Sequence, residues 1–424
     1  MNRSRLVSLV GLATLGLAAT LTGCGKKPPS DPAGDKPKIA LEAAEINGEG
    51  ATFPEPIIKF WTEEFRTRTD GKVKVNYTGK GSSAGVTALT KKLVAFGCSD
   101  APMNAKQLEE ATAAGGPVVH VPLVIGAVVP VYNLPGVDQP LAFTGPVLAD
   151  IFTGKIKTWN HPRLVELNSV LKDRAEEIKP VFRLDGSGTS YIFTDYLAKV
   201  SPEFKAAVGA STKPNWPAGV GIAQNKSEGV AGFISQTRGT LGYIELTYAL
   251  DSKDKLSYGT VRNKAGKDVL ADAESITAAA AATLGQKEAA EPYSLHELTY
   301  NLTDAAGEKS YPIAGMSFAI LYQTLDGDQA GGAKGKATVE FLKWATSAEG
   351  QDMATKRNYA PLPAGAGLLH RDLPEFLRDL LLQLRGQPAF PPQTTQTCPI
   401  LPCRRNRRAC PSSCSACSPA ARGY

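Results

Sequence analysis

The segment Arg183-Leu184-Asp185-Gly186-Ser187-Gly188-Thr189-Ser190 sets a cation, a carboxylate, two glycines and three hydroxyls directly before a helix-compatible run, Tyr191 to Val200. The first N–H groups of a helix have no partner inside it, and the helix dipole puts partial positive charge there. A glycine-rich turn lets those groups converge, and hydroxyls add donors, which suits a small oxyanion. Arg183 adds a planar fork of charged donors. Three other segments share this character: Gly48-Glu49-Gly50-Ala51-Thr52-Phe53-Pro54, Gly79-Lys80-Gly81-Ser82-Ser83-Ala84-Gly85 and Phe96-Gly97-Cys98-Ser99-Asp100-Ala101-Pro102. Taken singly, each is equally a turn or a helix cap.

Two other chemistries fit the second segment. Gly81-Ser82-Ser83-Ala84-Gly85 has the form of a nucleophile elbow, which would make Ser83 a hydrolase nucleophile. That elbow ordinarily follows several strands, and only one precedes it here. His120, His161 and His296 have no recognisable triad context, although triad partners need not be close in sequence. Gly79-x-Gly81-x-x-Ala84 also fits a dinucleotide fingerprint, with Asp100 near the position of the ribose acid. A basic and then apolar N-terminus, Arg3 to Leu21, reads as an export leader, and exported proteins seldom meet NAD, which weighs against the dinucleotide reading.

The elements that must hold these loops alternate. Val73 to Tyr77 reads as a strand before a helical Val86 to Leu93, and the apolar Val118 to Val131 precedes Pro146 to Phe152. Ile178 to Phe182 leads into Tyr191 to Val200, and Leu241 to Leu246 into an alanine-rich helix, Ala271 to Leu284. Ser317 to Tyr322 and Ala337 to Thr346 close the series as strand and helix. The alternation predicts an α/β fold with buried, mostly parallel strands, whose ligands sit where strand ends feed helices. Residues 40 to 365 are long enough for two domains.

The termini read differently. Arg3 and Arg5 precede an apolar Leu6 to Leu21, and Leu21-Thr22-Gly23-Cys24 has the form of a bacterial lipobox. A lipoprotein signal peptide over residues 1–23, lipidation at Cys24 and a flexible tether over 24–40 are expected. The globular part would then face outward from the cytoplasmic membrane. Cys98 is the one body cysteine, expected to be a small buried hydrophobe, while five others crowd the last 27 residues. Their spacing lacks the paired C-x2-C of common zinc sites, and no metal is expected. Residues 370–424 hold eight arginines, no lysine and three acids, which accounts for five of the six net positive charges. The body is therefore almost neutral and offers no electrostatic footprint for nucleic acid. Residues 366–424 are expected to be a disordered tail or one read in another frame.

The order Gly-x-Gly-Ala-Thr-Phe-Pro, Gly-x-Gly-Ser-Ser-x-Gly, Phe-Gly-x-Ser-Asp-Ala-Pro and Arg-x-Asp-Gly-Ser-Gly-Thr-Ser resembles the bacterial periplasmic phosphate-binding protein family, the substrate-binding subunits of phosphate ABC transporters. The likeness continues through Phe193-Thr194-Asp195-Tyr196-Leu197, Trp216-Pro217-Ala218-Gly219, Leu241-Gly242-Tyr243-Ile244-Glu245 and Asn358-Tyr359-Ala360-Pro361-Leu362-Pro363. It implies a two-lobed, type II-like periplasmic-binding-protein fold with a hinge and a central ligand cleft. Lobe 1 would be residues 41–124 and 312–365, and lobe 2 residues 125–311, with crossings near Val124 and Pro312. It further implies phosphate contacts from Thr52, Phe53 (through its N–H), Ser82, Asp100, Arg183, Ser187, Gly188 and Thr189, with Asp185 bracing Arg183. The implied function is high-affinity phosphate binding and delivery to a permease and ATPase, without catalysis or cofactor, by a monomer at the cell envelope. The rival is an envelope phosphatase or serine hydrolase using Ser83 or Ser187.

An acid in an anion site makes sense once protons are counted. Phosphate near neutral pH keeps a P–OH that can donate to Asp100, whereas sulfate has none. Three positions depart from the family pattern: Glu49 places a negative charge near an anion loop, Cys98 stands where alanine is usual, and Arg238 where proline is frequent.

Overall fold

The computed structural model describes residues 38–284 and 301–362. The signal segment, Cys24, His296 and the arginine-rich tail lie outside the described residues. Eight strands position the site: β1 (Ala44–Gly50), β2 (Val73–Gly79), β3 (Phe96–Ser99), β4 (Val118–Asn133), β5 (Lys179–Arg183), β6 (Ile222–Gln224), β7 (Thr240–Glu245) and β8 (Ala314–Tyr322). They run side by side as β2-β1-β3-β8-β4-β7-β5-β6. The expected parallel pairing holds in each half: β1 pairs parallel with β2 and β3, and β5 with β6 and β7. The centre differs. β8 is antiparallel to both β3 and β4, and β4 is antiparallel to β7. The two strands that carry the chain from one half to the other run in opposite directions, so pairing them with each other has to be antiparallel.

β4 is the joint between the halves. Its residues as far as Ala127 pair with β8, and from Val128 onward they pair with β7. It is almost wholly buried, as a strand covered on both faces should be. The change of partner falls three residues beyond Val124, and the return strand starts two residues beyond Pro312.

Each parallel strand runs into a helix. β1 leads to α1 (Glu55–Arg68), β2 to α2 (Ser82–Thr90), β5 to α3 (Gly188–Val200) and β6 to α4 (Lys226–Gln236), and β7 runs into the short α5 (Leu246–Asp251). The amphipathic α1 buries Ile57, Ile58, Trp61 and Phe65, and Trp61 donates its indole N–H to the Gly350 carbonyl at 2.9 Å. Phe65 and Phe96 both pack on Phe341, with centroids 5.3 and 6.1 Å away. In the other half Phe193 of α3 stacks on Tyr243 of β7 at 4.3 Å and meets Phe152 edge-on at 4.9 Å. The Tyr243 hydroxyl lies 2.7 Å from Ser190 Oγ, which ties the start of α3 to the sheet. Burial of these aromatic side chains stabilises each half.

Candidate anion-binding site

All eight expected contact residues meet where the strand ends of the two halves face each other. Thr52, Ser82, Ser187 and Thr189 are 1% exposed, Asp100 3%, Arg183 4% and Phe53 0%, and Gly188 is buried with them. Four helix starts converge there, those of α1, α2, α3 and α4, and the dipoles of these helices give the cleft a positive rim. The cleft is shut. Ser83 N–H donates to the Gly186 carbonyl at 3.0 Å, and Gly188 N–H donates to Ser82 Oγ at 2.9 Å. Glycine makes this approach possible: a Cβ on Gly186 would lie 2.2 Å from Ser83 Oγ, and one on Gly188 would lie 2.5 Å from Asp100 Oδ2.

Arg183 ends β5 and is gripped on one edge. Its Nε donates to Asp185 Oδ1 at 2.8 Å, and its Nη2 donates to Asp185 Oδ2. Asp185 Oδ1 also accepts the Lys226 N–H at 2.9 Å, so the same carboxylate caps α4. Burial works against the Arg183 charge, but Asp185 more than offsets it and holds the guanidinium above its ordinary range. Burial likewise penalises the Asp185 charge, and Arg183 prevails, keeping the carboxyl below its ordinary range. The second edge of the fork is turned inward: Nη1 donates to Thr52 Oγ1 at 3.1 Å, Ser227 Oγ at 3.0 Å and Thr189 Oγ1 at 3.4 Å.

The backbone at Thr52 and Phe53 is also held. Tyr248 donates to the Thr52 carbonyl at 3.3 Å and Tyr359 to the Phe53 carbonyl at 2.6 Å. A planar trans peptide sets N–H and C=O in opposite directions. Anchoring the Thr52 carbonyl on Tyr248 therefore fixes the Phe53 N–H away from that tyrosine. Ser187 is the N-cap of α3, accepting the Ser190 N–H at 3.2 Å, which leaves its own hydroxyl hydrogen to donate elsewhere.

Asp100 is fixed by one oxygen. Its Oδ1 accepts from Ser317 Oγ at 2.7 Å, and its Oδ2 takes only a long 3.4 Å bond from Ser82 Oγ. Burial pushes its pKa up to about 8, with the Ser317 bond opposing the rise and the nearby Glu245 charge adding to it. Without a ligand the carboxyl therefore keeps its proton below about pH 8; a hydrogen bond from a protonated oxyanion favours the charged form and lets Asp100 act as a carboxylate acceptor.

Several residues of this site carry no sequence expectation. Ser227, fully buried at the start of α4, places Oγ 2.9 Å from Thr52 Oγ1. The signal was available: Ile222–Gln224 and Lys226–Gln236 form a fourth strand-to-helix junction. Glu245, at the end of β7, accepts from Thr189 Oγ1 at 2.5 Å. Ser317 belongs to the return strand, 217 residues from Asp100, where spacing gives no hint of contact.

Among the described residues neither rival serine is hydrogen-bonded to a base. Ser83 Oγ contacts Thr212 Oγ1 at 3.4 Å, while Ser187 Oγ serves its helix cap. His120 accepts the Met103 N–H, and His161 Nδ1 accepts the Arg163 N–H. Among the described residues no group of His, Cys, Asp and Glu could hold a metal ion. Glu49 is neutralised by Lys80 at 2.6 Å, and Arg238 pairs with Glu176 at 2.9 Å. Cys98 is fully buried, and burial pushes its thiol pKa far up, so it stays inert.

Two α/β halves closing on a polar cleft define the class of two-lobed solute-binding proteins. Residues 30–349 match a family model described as PBP superfamily domain. The chain is 37% identical over 369 residues to the phosphate-binding protein PstS of Xylella fastidiosa, covering 83% of this chain and 93% of the relative. It is 38% identical over 324 residues to the phosphate-binding protein PstS of Haemophilus influenzae, covering 76% and 90%. Its fold also matches the crystal structure of a phosphate-binding protein from Stenotrophomonas maltophilia, with TM-score 0.60, 17% identity, and coverage of 78% and 94%. The chain belongs to the PBP superfamily and, within it, to the family of phosphate-binding proteins that its two relatives represent.

Proposed function

We propose that this protein binds inorganic phosphate outside the cytoplasmic membrane and delivers it to the permease and ATPase of an ABC importer, as its family relationship indicates. It is a transport component and not an enzyme. The observation that carries the site assignment is the pairing of two opposed groups in one sealed cleft. Arg183 offers charged donors from one half, and Asp100 offers an acceptor from the other. A ligand that suits both must be an anion that still carries a proton, and phosphate is one. Thr52, Phe53, Ser82, Ser187, Gly188 and Thr189 supply the remaining contacts, and Asp185 braces Arg183. Sealing the anion between the halves requires them to part for its release, so the closed shape reports occupancy to the permease.

The lobes are assigned as residues 41–124 with 312–365, and 125–311; the change of partner along β4 supports this division. The protein acts as a monomer, held to the envelope by lipid on Cys24, the cysteine of the sequence Leu21-Thr22-Gly23-Cys24. No helix among the described residues is long and apolar enough to cross a membrane. The test of transport is phosphate uptake at limiting concentration, which should fall on deletion of the gene and return with the wild-type copy. Uptake unaffected by deletion would refute the transport role. Mass spectrometry of the mature N-terminus should find acyl chains on Cys24, and Cys24→Ala should move the protein to the soluble fraction. An unmodified, longer N-terminus would remove the anchor.

A further inference from the structure

Glu245 is a second carboxylate in the cleft that the assigned contacts do not use. It is 1% exposed and ends β7, next to the strand that ends in Arg183. It occupies the N-cap position of α5 but makes no side-chain cap, so its carboxylate is turned to other partners. Oε1 accepts the Thr189 hydroxyl at 2.5 Å. Oε2 is buried and has no hydrogen-bond partner. Among the described residues no direct salt bridge reaches Glu245, although the Arg183 charge acts on it. A buried carboxylate oxygen without a donor is costly to keep unless a ligand supplies one.

Thr189 explains the arrangement. Its oxygen accepts from Arg183 Nη1 at 3.4 Å while its only hydrogen goes to Glu245. In this state the hydroxyl has no hydrogen left for an anion, and Thr189 meets the ligand through its N–H at the start of α3. A ligand that donates a hydrogen in the cleft would satisfy Glu245 Oε2.

We propose that Glu245 is a specificity-determining residue, a second acceptor that takes a hydrogen from a doubly protonated tetrahedral oxyanion while Asp100 takes the other. This rests on the phosphate reading and deepens it, because it names the monobasic form as the better ligand. The charged and titratable groups facing Glu245 are Arg183 from β5, Asp100 from the loop after β3, Tyr248 from α5 and Tyr359 from the C-terminal end of the described chain. With dibasic phosphate only one proton is available, and Glu245 then confronts a bare, like-charged oxygen.

The test is calorimetric titration with inorganic phosphate at acidic and at mildly alkaline pH, for wild type and Glu245→Gln. Gln keeps an acceptor for Thr189 and puts an amide donor at the second position. Asp100 has to release its proton to accept from the ligand in both proteins, so the ratio of their affinities isolates Glu245, whose effect is largest at acidic pH. Glu245→Gln should bind at least about tenfold more weakly there, and equally or more tightly at alkaline pH, so that the two profiles cross. Profiles that are superimposable, or displaced equally at every pH, would overturn the proposal. If thermal melting shows that Glu245→Gln is unfolded, Thr189→Val serves instead. It frees both Glu245 oxygens and should bind phosphate better, relative to wild type, at acidic than at alkaline pH, and an equal ratio at both would overturn the proposal. Failure of the wild type to bind phosphate at either pH would instead refute the phosphate reading itself.

Discussion

Asp100→Asn isolates the discrimination between anions. Ser317 Oγ donates to Oδ1 at 2.7 Å, and an amide oxygen keeps that bond, so the new NH2 falls where Oδ2 stood. There it faces the ligand as a donor in place of an acceptor. Phosphate loses a hydrogen bond to a charged group, worth about 1.5–3 kcal/mol, which is roughly 10- to 150-fold in affinity. Sulfate gains a donor and loses a like charge, a change of the same order in the opposite direction. The phosphate-to-sulfate ratio should therefore shrink by about 10²-fold or more. Calorimetry with both anions, beside a thermal melt to show that the fold survives, measures it. A ratio equal to that of wild type would remove Asp100 from its assigned role.

The same substitution has a pH signature. The folded Asp100 pKa, about 8, lies above its ordinary value of 3.8, so across that window the folded state keeps a proton that the unfolded state releases. Stability of the ligand-free protein should then fall as pH rises from about 4 to about 8. Asp100→Asn should lose this part of the slope and gain melting temperature relative to wild type toward the alkaline end; parallel profiles would count against the buried, protonated carboxyl. Arg183→Ala removes the inward-facing Nη1 donors and leaves Asp185 without its partner, so phosphate should bind at least about 10²-fold more weakly; a wild-type dissociation constant would exclude Arg183. Gly186→Ala puts a Cβ 2.2 Å from Ser83 Oγ and should impede closure by about 1–3 kcal/mol, weakening phosphate binding. Adding Ser83→Gly should restore much of that loss, and a double variant no better than the single one would contradict the steric cause. Ser227→Ala should cost about tenfold in phosphate affinity by unfixing Thr52 and Arg183, and an unchanged constant would make Ser227 a bystander.

Local chemistry made much of this legible. Ser187 caps a helix and Gly188 opens it, as their types suggest, and the turn of two glycines admits the opposing half. Asp185 braces Arg183 from two residues away, a pairing short spacing makes readable. What stayed hidden depends on strands brought together from distant sequence. Ser317 meets Asp100 only because β8 returns beside β3, and Glu245 meets Thr189 only because β7 lies beside β5. The antiparallel centre is hidden for the same reason, since pattern reports burial of a strand but not its direction. α2 and α3 begin at Ser82 and Gly188, ahead of the helical runs Val86 to Leu93 and Tyr191 to Val200, because polar and glycine residues mask a first turn that the cleft itself stabilises.

The central claim is that one cleft selects a protonated oxyanion through Arg183 and Asp100 together. Titrating the wild-type protein with phosphate, arsenate and sulfate side by side tests it most directly. Phosphate and arsenate, which both keep a proton near neutral pH, should bind, and sulfate should neither bind nor compete. Sulfate binding as tightly as phosphate, or no binding of phosphate, would contradict the account.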